Sequence, residues 1–240
     1  MKRIPLPIKL YVVVSGVHLL ALWYGWPRIA WATKPLLMIV LGWYWLTSQH
    51  QFKYHTVSHW ISAAIMCALL GDVLLEIAKQ SSTSSLLWFS SGLGAFLLAQ
   101  ICYIVAFVLF PPRGKGLVQY RPWWLILLMA YSIYLLWSLW PGLPTPLKGP
   151  VVVYSLALTL MVATTMNLGG RLASAHYRAI LWGALLFLLS DSLIGISRFR
   201  PQMWSWPHAQ FWIMLTYITG QALIVKGAAQ ALSTHPKPGL

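Results

Sequence analysis

Eight apolar stretches, each about as long as a bilayer is thick, follow one another along this 240-residue chain with only short polar or proline-rich breaks between them. They run 8–25, 29–47, 57–77, 86–110, 122–140, 148–166, 178–198 and 209–229. A helix rises about 1.5 Å per residue, so roughly 20 residues cross a hydrocarbon core about 30 Å thick. No water is present there to pair with the backbone, so a segment of that length satisfies its own N–H and C=O groups as a helix. The expected fold class is therefore all-α: a polytopic membrane protein of about eight transmembrane helices. The spans consume almost the whole length, which predicts a single transmembrane domain over 1–240. Composition agrees, since only 8% of residues are charged against about a quarter in soluble domains.

A formal net charge of +14 raises the question of nucleic acid, because basic surfaces attract phosphate. The cations instead occupy short loops between apolar runs, where positive charge sets membrane orientation, so no nucleic-acid partner is expected. The N-terminus, the even loops and the C-terminal tail carry eleven: Lys2, Arg3, Lys9, Lys53, Arg113, Lys115, Arg121, Arg171, Arg178, Lys226 and Lys237. The odd loops carry five: Arg28, Lys79, Lys148, Arg198 and Arg200. This bias predicts both termini in the cytoplasm. Met1-Lys2-Arg3 before an apolar run has the form of a signal peptide. Trp23, Trp26 and Trp31 crowd any cleavage point and further spans follow, so it reads as a retained first helix. Trp26, Trp45, Trp88, Trp123, Trp140 and Trp212 fall near span ends, where amphipathic rings settle at the membrane interface. Cys67 and Cys102 lie inside apolar runs and read as buried thiols rather than a disulfide framework.

An internal repeat of about 119 residues is suggested. Leu69-Leu70-Gly71-Asp72-Val73-Leu74-Leu75 in the third span resembles Leu188-Leu189-Ser190-Asp191-Ser192-Leu193-Ile194 in the seventh. Gln100 and Gln221 lie 121 apart in the spans that follow, and Lys34-Pro35 is loosely echoed by Lys148 with Pro150. Four spans per half implies parallel halves about an axis along the membrane normal.

The acidic residues number three, Asp72, Glu76 and Asp191, and all fall in or at the end of an apolar span. A charge at the bilayer centre costs roughly 2.5–3.5 kcal/mol on insertion scales, so such residues are expected to face the bundle interior and to do work there. The third and seventh spans run in the same direction. Asp72 and Asp191 then sit roughly 8–10 Å inside the same membrane face at about 1.5 Å per residue, and Lys34 reaches a similar depth. An ion pair of Lys34 with one aspartate would serve structure alone, but it leaves the second carboxylate buried without a cation. Two nearby carboxylates in low dielectric do not both ionise easily, which yields an acid and a base from one residue type. Glu76 shares a face with Asp72 one turn away, and its place at the interface points to water or headgroups.

Gln100 and Tyr103 are spaced i,i+3, and Tyr217 and Gln221 i,i+4, so each pair shares a helix face. With Tyr154 they are candidates to bond between helices or to line a cleft. Arg198, beside Arg200 at the outer end of the seventh span, has the planar fork that grips phosphate. His55 and His59 are spaced as metal ligands can be, yet they lie roughly 20–25 Å along the helix from Asp72. His18 and His208 are isolated. With no nucleophile elbow, P-loop or dinucleotide fingerprint in the chain, neither a metal nor a cofactor is expected.

At these residues the chain resembles the YhhN family, whose animal and some bacterial members are lysoplasmalogenases. The stretches that carry the likeness are Thr33-Lys34-Pro35, Gly71-Asp72-Val73-Leu74-Leu75, Phe89 through Tyr103, Val152-Val153-Tyr154 and Met161. Gly183 through Ile194, running on to Arg198-Phe199, and Leu215-Thr216-Tyr217 with Gln221 complete the set. The likeness covers about residues 30–227. In that family position 76 is usually apolar and position 100 often histidine, so Glu76 and Gln100 are departures here.

The resemblance implies hydrolysis of the vinyl ether bond of a lysoplasmalogen to a fatty aldehyde and a glycerophospho-ethanolamine or -choline. Asp72 and Asp191 would form the acid–base pair. Lys34 would tune one of them, and Gln100, Tyr103, Tyr154, Tyr217 and Gln221 would line the cleft, with Arg198 meeting the phosphate. The implied partners are a lysophospholipid and the bilayer, in what the short loops suggest is a bacterial inner membrane. Two other readings stay open: a lipid or small-molecule transporter using proton-titrating aspartates, and a hydrolase of other lysophospholipids. An inert scaffold is disfavoured, because it has little reason to bury carboxylates.

Overall fold

The computed structural model describes residues 5–52, 54–81, 84–111, 114–202 and 207–234. Lys2, Arg3, Lys53, Arg113 and Lys237, which entered the orientation reading, lie outside the described residues. Eight long helices account for the eight apolar stretches: α1 Leu6–Trp23, α2 Pro27–Ser48, α3 His55–Gln80, α4 Ser85–Leu109, α6 Trp123–Leu139, α7 Thr145–Met166, α8 Ser174–Phe199 and α9 Ala209–Thr234. A single-turn helix, α5 Leu117–Tyr120, precedes α6. All eight are long and apolar enough to cross a membrane. Several outrun the apolar runs: α3 continues to Gln80 and α9 to Thr234. Backbone bonding does not stop where side chains turn polar, so a spanning helix carries on into the headgroup layer.

The outside of the bundle is as apolar as the inside. On α6 the side chains of Ile126, Ile133, Tyr134 and Trp137 are exposed, which in water would be an aggregation hazard and in a bilayer is the lipid face. The interior is built from large rings and aliphatics such as Tyr103, Phe107, Phe187 and Leu37. Trp45, near a span end in the sequence, turns into the bundle rather than toward lipid: it is fully buried and donates from its indole N–H to Ser62 Oγ at 3.0 Å. That hydrogen bond lets the ring serve as core, since Ser62 satisfies its one donor.

The most extensive helix pairings are α3 with α4 and α8 with α9. Without a hydrophobic drive between helices in lipid, such pairs depend on close backbone approach at small residues. Gly183 on α8 faces Gly220 on α9, and a Cβ on Gly183 would come within 2.7 Å of the Gly220 carbonyl oxygen. These pairings fix the two helices that carry Asp72 and Asp191. Pro35 in α2 and Pro150 in α7 each remove one backbone bond from a helix that also supplies a site residue, Lys34 or Tyr154.

Candidate functional site

Asp72 lies on the inward face of α3, eight residues before its end, and Asp191 holds the equivalent place on α8. Both line one cavity of about 380 Å³, together with Lys34 from α2, Arg198 from α8 and Tyr217 from α9. The cavity is polar at its mouth, where Lys79, Arg198 and Gln210 are exposed. It narrows inward to Asp72, which is only 2% exposed.

The two carboxylates have different company. Lys34 Nζ lies 3.7 Å from Asp72 Oδ1, and the Tyr217 hydroxyl donates to Asp72 Oδ2 at 2.7 Å. Lys34 also lies 3.5 Å from Glu76 Oε2, which pairs in turn with Lys79 Nζ at 3.1 Å. Lys79 donates to Gln210 Oε1 at 3.2 Å, tying the end of α3 to the start of α9. A chain of alternating charge therefore runs from Asp72 up to the mouth. Asp191 takes part in none of the ion pairs among the described residues. Its Oδ2 accepts from the Tyr154 hydroxyl at 2.5 Å and from Gln100 Nε2 at 3.3 Å.

The candidates from the sequence thus separate into layers. Lys34, Asp72, Asp191, Arg198 and Tyr217 line the polar cavity. Tyr154 lines an adjoining narrow, apolar chamber that also reaches Asp191, with Leu75, Phe89, Phe96 and Ile194 common to both. Gln100, Tyr103 and Gln221 are fully buried and line neither space. Gln100 braces Asp191, and the Tyr103 hydroxyl donates to Gln221 Oε1 at 2.7 Å, joining α4 to α9 beneath the aspartates. Arg198 stacks over the Phe89 ring at 4.9 Å and donates to Ser85 Oγ at 3.3 Å.

Glu76 departs from its expected place among water and headgroups. It sits between two lysines, with its side chain only 17% exposed. Lys79 and Gln210 are parts of the site that the sequence reading passed over. The one available signal was the Glu76–Lys79 spacing of three, which puts opposite charges on one helix face. Among the described residues no three His, Cys, Asp or Glu side chains come together as metal ligands.

An arrangement of this kind can take an amphiphile. Cations and hydrogen-bonding groups ring its mouth, carboxylates lie one layer in, and an apolar space continues beyond them.

The chain is 32% identical to the lysoplasmalogenase TMEM86B of Sus scrofa, over 73% of this chain and 66% of that protein. It is 34% identical to a lysoplasmalogenase of Mycobacterium bovis, over 71% of this chain and 64% of that protein. It is 25% identical to the lysoplasmalogenase TMEM86B of Rattus norvegicus, over 94% and 85% respectively. The chain therefore spans a little under two thirds of the length of the first two relatives. No solved structure matches it. Residues 29–228, a stretch that includes every cavity residue from Lys34 to Tyr217, match the family throughout, and the chain belongs to the YhhN family.

Proposed function

We propose that this protein hydrolyses the vinyl ether bond of a lysoplasmalogen, with Asp72 and Asp191 as its acid–base pair. The observation that carries the reading is that two carboxylates from different helices line one intramembrane cavity, with cations at its mouth and an apolar chamber behind it. The names of the similar proteins point the same way.

The different surroundings of the two carboxylates support different roles for them. Lys34 balances Asp72 as an anion. Asp191 has no cation partner among the described residues, and an unpaired anion in low dielectric is costly, so Asp191 carries the proton. It also borders both the polar and the apolar space, which is where a vinyl ether would lie with its glycerol outward and its tail inward. Asp191 gives its proton to the β-carbon of the vinyl group, and the α-carbon and ether oxygen share the positive charge of an oxocarbenium ion. Water adds to the α-carbon and passes a proton to Asp72, whose carboxylate also steadies the cation. The hemiacetal then collapses: Asp72 returns its proton to the glycerol oxygen, the C–O bond breaks, and the hydroxyl proton passes to Asp191. Aldehyde and glycerophosphodiester leave, and both aspartates are back in their starting states.

Tyr154 and Gln100 act as positioning residues for Asp191, and Lys34 and Tyr217 for Asp72. Arg198, with Lys79, meets the phosphate. Seven residues separate Arg198 from Asp191, about 10 Å along the helix, which suits the glycerol between a phosphate and an sn-1 ether. The suggested repeat gains support from the partner pattern. Asp72 is met by the second and eighth spans, through Lys34 and Tyr217, and Asp191 by the sixth and fourth, through Tyr154 and Gln100. The loop charges support cytoplasmic termini, which turns the cavity mouth outward. The short loops and the mycobacterial relative suit the inner membrane of a bacterium.

The test is product analysis by mass spectrometry after the detergent-purified protein meets a mixture of vinyl ether and ester lysolipids. Release of aldehyde from the vinyl ether is the expected result. It would exclude transport alone, which needs sealed vesicles. Fatty acid without aldehyde would replace the proposed reaction with ester hydrolysis, and no release of either product would end the hydrolase reading.

A further inference from the structure

Behind the aspartates the apolar space does not end. The narrow chamber at Asp191, about 70 Å³, adjoins a wider apolar chamber of about 480 Å³ between α6, α7 and α8. Leu188 lines both. On each of the three helices the wider chamber lies one turn further from the aspartates: Leu128 below Ser132 on α6, Val162 below Leu158 on α7, and Leu185 below Leu188 on α8. Two hydrogen bonds cross the seam where the chambers meet. The Tyr131 hydroxyl donates to Ser192 Oγ at 2.7 Å, and the Ser132 and Thr159 hydroxyls pair at 2.6 Å. These satisfy polar groups that the apolar lining would otherwise leave bare. They also pin α6, the most lipid-exposed of the long helices, to α8 and α7.

We infer that this seam holds the hydrocarbon tail of the substrate, threaded from Asp191 past Leu188 into the wide chamber and open there to the bilayer. The inference rests on the function proposed above for the aspartates and adds where the rest of the molecule lies. Three observations carry it. Successive spaces adjoin through shared lining residues, Asp191 between the polar cavity and the narrow chamber and Leu188 between the narrow chamber and the wide one. The far chamber is bordered by Leu127 and Leu189, which are 54% and 43% exposed on the lipid face, so a chain end passes from protein to membrane without meeting water. Its length also fits. From Asp191 to Tyr177, the last α8 residue in the far chamber, fourteen residues rise about 21 Å, the reach of an extended chain of roughly sixteen carbons. The chamber at Asp191 is the smallest of the three spaces, about 70 Å³ against about 380 and 480 Å³, which suits a single-tailed lipid.

The decisive measurement separates binding from turnover. Detergent-purified protein is photolabelled with a saturated 1-O-hexadecyl lysophosphoethanolamine carrying a diazirine at the chain terminus, with and without excess unlabelled lipid. This probe has no vinyl bond, so its binding does not depend on hydrolysis. Label that the competitor removes is expected on the α6 and α8 residues of the far chamber. In parallel, Leu185→Trp, which pushes a larger ring into that chamber, should lower the ratio of sixteen-carbon to eight-carbon lysoplasmalogen turnover at least tenfold. Ile133→Trp on the lipid face of α6 should leave the ratio unchanged. Competable label elsewhere, label that does not compete, or an unchanged ratio in Leu185→Trp would each overturn the tail assignment. If the label falls as expected while the unaltered protein releases no aldehyde, the tail site stands and the hydrolase reading falls.

Discussion

Replacing Asp191 with asparagine separates the proton from the scaffold that holds it. Asn keeps the shape and offers a carbonyl oxygen where Oδ2 now accepts from Tyr154 and Gln100. No ion pair among the described residues is broken, because Asp191 is in none of them. No cavity is opened. Stability should therefore change by about 1 kcal/mol or less, the scale of one altered hydrogen bond. What disappears, on the proposed mechanism, is the transferable proton. A general acid contributes roughly 10²–10⁴ in rate, or about 3–5 kcal/mol of barrier at 1.36 kcal/mol per decade. The Asp191→Asn protein should therefore lose about two to four decades of kcat, with KM within about threefold of the parent because phosphate and tail contacts stay in place. Adding Asp72→Asn should cost little more, since groups that act as one unit are not additive. The assay is aldehyde release by the detergent-purified proteins, with thermal unfolding run beside it. A properly folded Asp191→Asn protein that keeps kcat within tenfold would refute the acid–base pair.

Tyr154→Phe removes the shorter of the two hydrogen bonds to Asp191; kcat should fall about tenfold with KM steady, on the scale of one bond to a reacting group, as read in steady-state kinetics. Arg198→Ala should raise KM for the phospholipid roughly three- to tenfold and leave kcat nearly unchanged, the signature of lost uniform binding; equal losses in both constants would count against a phosphate role. Lys34→Met strands Asp72 without a cation and should destabilise the protein by roughly 3–5 kcal/mol. The Lys34→Met/Asp72→Asn double variant should unfold at a higher temperature than Lys34→Met alone. Gly183→Leu drives a side chain into the Gly220 backbone and should cost about 1–3 kcal/mol by overpacking, seen as a lower unfolding temperature.

Hydropathy alone laid out the eight spans, because a bilayer demands roughly 20 apolar residues and internally bonded backbone of anything that crosses it. Helix rise then put Asp72, Asp191 and Lys34 in one layer, since depth in a straight helix is a matter of counting. Counting does not say which way a side chain turns about the helix axis, nor which helix stands beside it. Trp45 shows the first gap: it lies near a span end, yet faces Ser62 in the interior. Glu76 shows the second, because Lys34 comes to it from forty-two residues away. The pairs Tyr103–Gln221 and Tyr217–Asp72 each bring together spans far apart in sequence. In lipid, apolar side chains gain little by choosing one apolar neighbour over another. Partner choice falls to glycine contacts such as Gly183–Gly220 and to polar groups that must find one another. The sequence by itself therefore determined the eight apolar helices long enough to span a membrane and the matching positions of Asp72 and Asp191 along two of them. Only the packing of the helices decided that the two aspartates share a cavity, that among the described residues one has a lysine and the other does not, and that an apolar chamber adjoins them.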